Sequence, residues 1–137
     1  MLQEKRVVTC FLESENEILI LRRSEQVGSY RGRWAGVSGY IEAKMTANEQ
    51  ALTEIEEETS LFGKDLKLIK KGKPLPIKDE KLGVKWVVHP YLFHIEDRGK
   101  IKMDWEHKET RWIKPKDLDN YQTVPKLKET LARVYKD

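Results

Sequence analysis

Cysteine is nearly absent from this chain. The single residue, Cys10, excludes an internal disulfide. It lies in the apolar run Val7-Val8-Thr9-Cys10-Phe11-Leu12, where a buried, inert thiol is expected rather than a nucleophile. A fold without disulfides fits a reducing interior. Long hydrophobic runs are also missing. No segment approaches the roughly 18–20 apolar residues of a membrane span, and no signal-peptide core follows Met1. The expectation is a soluble cytoplasmic protein with no membrane partner. Charge of one sign is not in excess: 26 Lys and Arg face 23 Asp and Glu, a net +3. That is too little to argue for nucleic acid as a partner by bulk electrostatics. The basic stretch Lys67, Lys70, Lys71, Lys73, Lys78 and Lys81 carries no interleaved aromatics, so it reads as a solvated face rather than an RNA track. Repeats, low-complexity tracts and linkers are lacking too, and 137 residues suit a single domain, 1–137, with one core.

What is present alternates between strand and helix signals. Residues 5–12 and 17–22 are β-rich and flank Ser14-Glu15-Asn16, which predicts a hairpin. Residues 24–38 are rich in Gly, Ser and Arg and read as a long loop. Thr46 with Glu49 three residues on is a capping box and starts a helix near residue 47. Ala51, Leu52, Ile55 and Thr59 form its inward face, and it ends between Ser60 and Gly63. Strands are expected over 66–71 and 84–94. Pro90 implies that the second is an edge, bulged or broken strand, and an exposed edge there is a place where two copies could pair as a homodimer. Residues 73–83 read as an exposed loop, 99–103 and 110–113 as short strands, and Pro115 to Asp119 as one helical turn. Pro125 opens a last helix with Leu127, Leu131 and Val134 on its apolar side. This order predicts an α/β fold with helices packed against a mixed sheet.

The chemistry concentrates in residues 39–61. A glycine loop runs into a helix carrying Glu54, Glu57 and Glu58 at i, i+3 and i+4, which stacks three carboxylates on one face. Like charges so placed cost about 0.2–0.5 kcal/mol per pair, which a divalent cation would offset. Mg²⁺ takes hard oxygen ligands, one or two carboxylates with waters and phosphates. A solvated acidic face has the same spacing. The glycine loop and the capping box before it shift the reading toward a site.

The segment resembles the Nudix box, G-x5-E-x7-R-E-U-x-E-E-x-G-U, with U a bulky aliphatic residue. Gly39, Glu54, Ile55, Glu57, Glu58 and Leu61 match; Met45, Thr53 and Ser60 replace Glu, Arg and Gly. The flanking residues from Trp34 to Glu42, and those from Glu106 to Trp112, are also Nudix-like. The resemblance implies an α/β/α sandwich around a mixed sheet. It implies Mg²⁺- or Mn²⁺-dependent hydrolysis of a nucleoside diphosphate linked to another moiety, a nucleotide-type small-molecule substrate. Glu57 and Glu58 would be metal ligands, and Glu54 a further ligand or the residue that orients water. In the family, the Glu and Arg missing at Met45 and Thr53 pair to pin the loop to the helix and orient the catalytic Glu. Their joint loss leaves a second reading, a weak or inactive Nudix-fold module that binds nucleotide or regulates. Ser60 removes the residue best suited to a left-handed cap, a role Gly63 could take.

Outside the box, Glu106 ranks first among Asp104, Glu106 and Glu109 as a catalytic base, against the alternative of a solvated loop acid. Arg22, Arg23, Arg31 and Arg33 approach the box, and arginine recognises phosphate through its planar fork. Arg23 and Arg33 are the favoured pair, the others surface charges. Trp34, Tyr30 and Trp86 are candidates for stacking on a base. Trp86 reads as core, and Trp34 as equally suited to stacking or packing. His107 reads as a surface histidine, and no metal-ligand spacing links His89 and His94.

Overall fold

The computed structural model describes residues 1–103 and 107–136. The hairpin forms as its turn residues dictate. β1 (Gln3–Ser14) and β2 (Glu17–Arg23) are joined by Glu15 and Asn16, both at positive φ (52° and 64°), the two-residue turn that matches strand twist. Only Glu13↔Ile18 and Ser14↔Glu17 pair across it, and then the two strands part.

The stretch from Trp34 to Tyr40 fills the opening. β3 (Trp34–Ala35) pairs with β2, and β4 (Val37–Tyr40) pairs with β1, placing Gly39 opposite Val8. The change of partner happens at Gly36, where a Cβ would meet the Cys10 carbonyl oxygen at 2.9 Å. The long loop expected over 24–38 is thus shorter, because its last residues are strand.

On its other side β1 runs parallel to β7 (Val84–Ile95), from Gln3↔Val84 to Glu13↔His94. The far flank of β7 is shared by two antiparallel strands. β6 (Leu75–Asp79) covers residues 84–88, and β5 (Leu66–Lys71) covers 91–95. β8 (His107–Ile113) lies antiparallel to β2 and completes an eight-stranded mixed sheet.

Three strand expectations are corrected here. Residues 73–83 are not all loop: Leu75 and Ile77 alternate inward and make β6. Pro76 and Lys78, exposed on its other face, hid the strand. Residues 84–94 are not an edge, so they offer no free ladder for a second copy. Pro90 is tolerated because the partner changes beside it: its carbonyl accepts from the Gly72 amide at 2.9 Å between β5 and β6, and its missing N–H faces the same break. Residues 99–103 are not a strand; Arg98–Lys100 form a single 3-10 turn.

Alternation sends successive side chains to opposite faces. Val8, Cys10, Leu12, Leu19, Leu21, Tyr91, Phe93 and Ile95 face α1 (Ala47–Thr59) and its Ala51 and Ile55. Phe11, Ile18, Ile20 and Leu92 face α2 (Leu127–Ala132) with its Leu127 and Leu131. The result is the expected α/β/α sandwich around a mixed sheet. No helix among the described residues is long and apolar enough to cross a membrane.

The capping box is formed: Glu49 N–H donates to Thr46 Oγ1 at 3.1 Å, and Thr46 N–H to Glu49 Oε1 at 2.9 Å. Leu52, expected inward on α1, is 43% exposed, and Gln50 takes an inward place at 2% exposure. The left-handed cap falls on Ser60 itself (φ 65°), not on Gly63, which opens a short 3-10 turn.

Candidate active site

α2 is short and leaves part of its face of the sheet open. Over β1, β6 and β7 lies a cleft of about 330 Å³. Val7, Thr9, Ile77 and Val88 form its base, and Val124, Pro125, Leu127 and Thr130 its wall on the α2 side. It passes over β4 to reach α1, where Glu42, Gln50, Glu54 and Glu58 line its acidic end.

Gly39 makes that crossing possible. A Cβ built on it would overlap the carboxyl end of Glu54, with Cγ only 2.6 Å away. The glycine of β4 therefore holds open the space that the Glu54 carboxylate fills. Gln50, one turn earlier on α1, fixes the other side: its Nε2 donates to Glu54 Oε2 at 2.9 Å, and its Oε1 accepts from the Glu42 amide at 3.1 Å. Glu58, one turn later, is 2% exposed. Beneath the pair, burial pushes the Cys10 thiol well above its usual value, with the Glu58 and then the Glu54 charges adding to it. The thiol stays neutral, as a packing residue should.

The opposite end is aromatic. Trp86 and Tyr30 meet at 6.3 Å between ring centroids, and Trp86 and Tyr40 at 6.0 Å. Trp86 Nε1 donates to the Tyr30 hydroxyl at 3.0 Å, which donates to Asp79 Oδ2 at 2.6 Å. Burial and the Asp79 bond push the Tyr30 phenol up to about 12, and the same bond, with the Leu82 amide, lowers Asp79. Tyr30 is held at positive φ (49°), an uncommon backbone state for a bulky residue and one that recurs at functional sites. Arg23 also lines the cleft, with its Nε donating to the Ser29 carbonyl at 2.9 Å.

The structure thus gathers Gly39, Glu54, Glu58 and Arg23 in one cleft. Glu57 lies beside them on α1 but is exposed and outside the lining. Arg33 is exposed, donates to the Thr123 carbonyl at 3.2 Å, and is not among the residues that line the cleft. Trp34 is 8% exposed and packs edge-to-face on Tyr121 in the α2 core, so it is a packing residue. Trp86 reverses its expectation: it is only half-buried and walls the cleft. Glu106 lies outside the described residues. Sequence reasoning missed Gln50 and Glu42. The signal for Gln50 was its place four residues before Glu54, on the same helix face.

The donor set suits a hard divalent cation. Among the described residues, no three acidic, histidine or cysteine side chains are grouped tightly enough to enclose a metal ion. Glu54 and Glu58 supply two carboxylates to an open cleft. That fits Mg²⁺ or Mn²⁺, which keep waters and take phosphate oxygens beside one or two carboxylates.

An acidic helix set against a glycine-bearing strand, opening on an aromatic-walled cleft, is the candidate site of this α/β/α sandwich. The family model for the NUDIX domain matches residues 3–136. The chain belongs to the NUDIX domain family. Among solved structures, it is similar to a MutT protein from Methanosarcina mazei Go1, with 19% identity, a TM-score of 0.81, and 97% of this chain and 94% of that one covered. It is likewise similar to a MutT NUDIX hydrolase from Burkholderia pseudomallei, with 20% identity, a TM-score of 0.78, and 97% and 99% covered. An Ap4A hydrolase from C. elegans matches at 15% identity and a TM-score of 0.73, over 95% and 93% of the two chains. Membership of the family supports a hydrolase of the pyrophosphate-cleaving class.

Proposed function

We propose that this protein is a divalent-metal-dependent hydrolase that cleaves the pyrophosphate bond of a nucleoside diphosphate linked to another moiety. The observation that carries the reading is the seating of the Glu54 carboxylate against Gly39, where the acidic end of the cleft meets a chamber of nucleotide size. Glu54 and Glu58 would hold Mg²⁺ or Mn²⁺, with Glu57 as a further ligand from the exposed side of α1. Bound metal would neutralise charge on the phosphate oxygens. Arg23 meets the phosphates with its planar fork. Tyr30, Tyr40 and Trp86 receive the base on their faces. A water oxygen bonds to phosphorus, the bridging P–O bond breaks with its electron pair on the departing phosphate, and the water proton passes to a carboxylate. Glu54 and Glu106 are the candidates for that acceptor.

The test is product formation across a panel of nucleoside diphosphate derivatives with Mg²⁺ or Mn²⁺. Wild type is expected to turn over at least one, and Glu54→Gln and Glu58→Gln to lose turnover. A wild type as inert as both variants overturns the enzyme reading. Calorimetric nucleotide binding in that case would establish the binding module instead, which the loss of the family's Glu and Arg at Met45 and Thr53 favours.

A further inference from the structure

We propose that Gln50 is a positioning residue that holds Glu54 in place and takes over the work of the pair missing at Met45 and Thr53. This inference rests on reading the cleft as the hydrolytic site.

A glutamine at 2% exposure is unusual, because a buried amide costs free energy unless its polar atoms are bonded. Here both ends are used. The carboxamide spans from the Glu42 backbone, in the loop after β4, to the Glu54 side chain, one turn along α1. Its orientation is set by chemistry. The Glu42 amide is only a donor, so it needs the Gln50 oxygen. The Glu54 carboxylate accepts, so it needs the Gln50 nitrogen. A flipped amide would place donor on donor and acceptor on acceptor, and both bonds would be lost.

The span also ties the loop to the helix. The Glu42 carbonyl accepts from the Met45 amide at 3.0 Å, which closes the turn leading to the Thr46 cap. Gln50 N–H in turn donates to the Thr46 carbonyl at 3.0 Å. The loop is therefore pinned at Glu42 by the Gln50 side chain and at Thr46 by the Gln50 backbone. With Oε1 lodged in the space left by Gly39 and Oε2 held by Gln50, the carboxyl plane of Glu54 is fixed from two sides. Met45 and Thr53, which cannot form an ion pair with each other, are not needed for this.

The experiment compares wild type, Gln50→Met, and a rescue variant combining Gln50→Met with Met45→Glu and Thr53→Arg. Methionine nearly conserves volume, so packing is largely kept. Three quantities are read: hydrogen-exchange protection of the Glu42 amide, Mn²⁺ affinity of the nucleotide-free protein by electron paramagnetic resonance, and kcat with KM on a substrate found in the panel. Gln50→Met is expected to lose Glu42 protection. It is also expected to bind Mn²⁺ roughly tenfold to hundredfold more weakly and to lose kcat by a similar factor with KM little changed, as for other residues that orient metal ligands. The rescue variant is expected to recover most of the kcat and Mn²⁺ affinity without recovering Glu42 protection. A residue that only fills space would not be rescued from a distance. Unchanged Mn²⁺ affinity and kcat in Gln50→Met, or a loss that the rescue leaves untouched, overturns the inference. If wild type itself neither binds Mn²⁺ nor turns over substrate, the hydrolase reading falls, and retained Glu42 protection in Gln50→Met separately disproves the clamp. Should Gln50→Met fail to fold, Gln50→Ala gives the same comparison, with room for a water on the Glu42 amide.

Discussion

The carboxylate of Glu54 sits where a side chain on Gly39 would be. The two residues come from different elements, β4 and α1, and their fit joins the sheet to the acidic helix. Because the obstacle is the far end of a flexible side chain, Gly39→Ala is expected to fold while displacing that carboxylate. A misplacement of about 1 Å costs on the order of 100-fold in rate. Turnover should fall by about that factor, with thermal stability little changed. Full turnover in a folded Gly39→Ala would show that Glu54 does not act from this position.

Two tryptophans have opposite assignments and should respond oppositely. Trp86 walls the cleft, so Trp86→Leu should raise KM by the equivalent of about 1–3 kcal/mol of base stacking and leave kcat nearly unchanged. Trp34 is in the core, so Trp34→Ala should cost about 3–5 kcal/mol of stability in denaturant titration. If Trp34→Ala is stable but binds nucleotide poorly, the assignments are reversed.

Ser60 ends α1 in the left-handed region, at φ 65°, and its amide donates to the Glu56 carbonyl at 2.9 Å. An L-residue there carries a penalty of about 1–2 kcal/mol that glycine avoids. Ser60→Gly should therefore stabilise the fold by about 1 kcal/mol, read as a higher urea midpoint with the same slope. A lower midpoint would mean that the serine side chain contributes more than its backbone costs.

His94 joins β7 to β1. Its Nδ1 lies 2.7 Å from Glu13 Oε1, and its Nε2 lies 2.9 Å from Glu96 Oε1. The Glu13 bond, then the Glu96 bond, raises its pKa above the usual 6.5. A raised folded value means that protonated His94 stabilises the fold. The contribution is complete below about pH 6.5 and disappears as pH rises through the folded value. Wild type should exceed His94→Gln in stability by up to about 1 kcal/mol at pH 6, with the gap closing toward pH 8. A gap that widens with pH would contradict the assignment.

Periodicity made much of the fold legible: the hairpin turn, the capping box and the inward faces at Ala51 and Ile55 all follow from local rules. What it hid was non-local. Leu75 and Ile77 were masked by Pro76 and Lys78 on the outer side of β6, and Pro90 suggested an edge because the break in the neighbouring strand is invisible from β7 alone. Glu54 and Glu58 were readable from spacing. Trp34 and Trp86 were not, since which face of the sheet α2 leaves open depends on the length of a helix far along the chain. Gln50 was missed because glutamine on a helix is ordinarily solvated, and its burial appears only once β4 and α1 are brought together.

The pairing of Gly39 with Val8, and of β1 with β7, governs when the site comes into being. During synthesis, a chain that has emerged through Leu61 already holds every residue of the acidic motif. It has no cleft, because the strand that completes the base of the cleft has not been made. Long-range and parallel pairings form late, after local helices and turns. Residues 39–61 cut out as a peptide would therefore keep the motif and lack the site. Assembly of the sheet, not of the helix, is the step at which the chain acquires its chemistry.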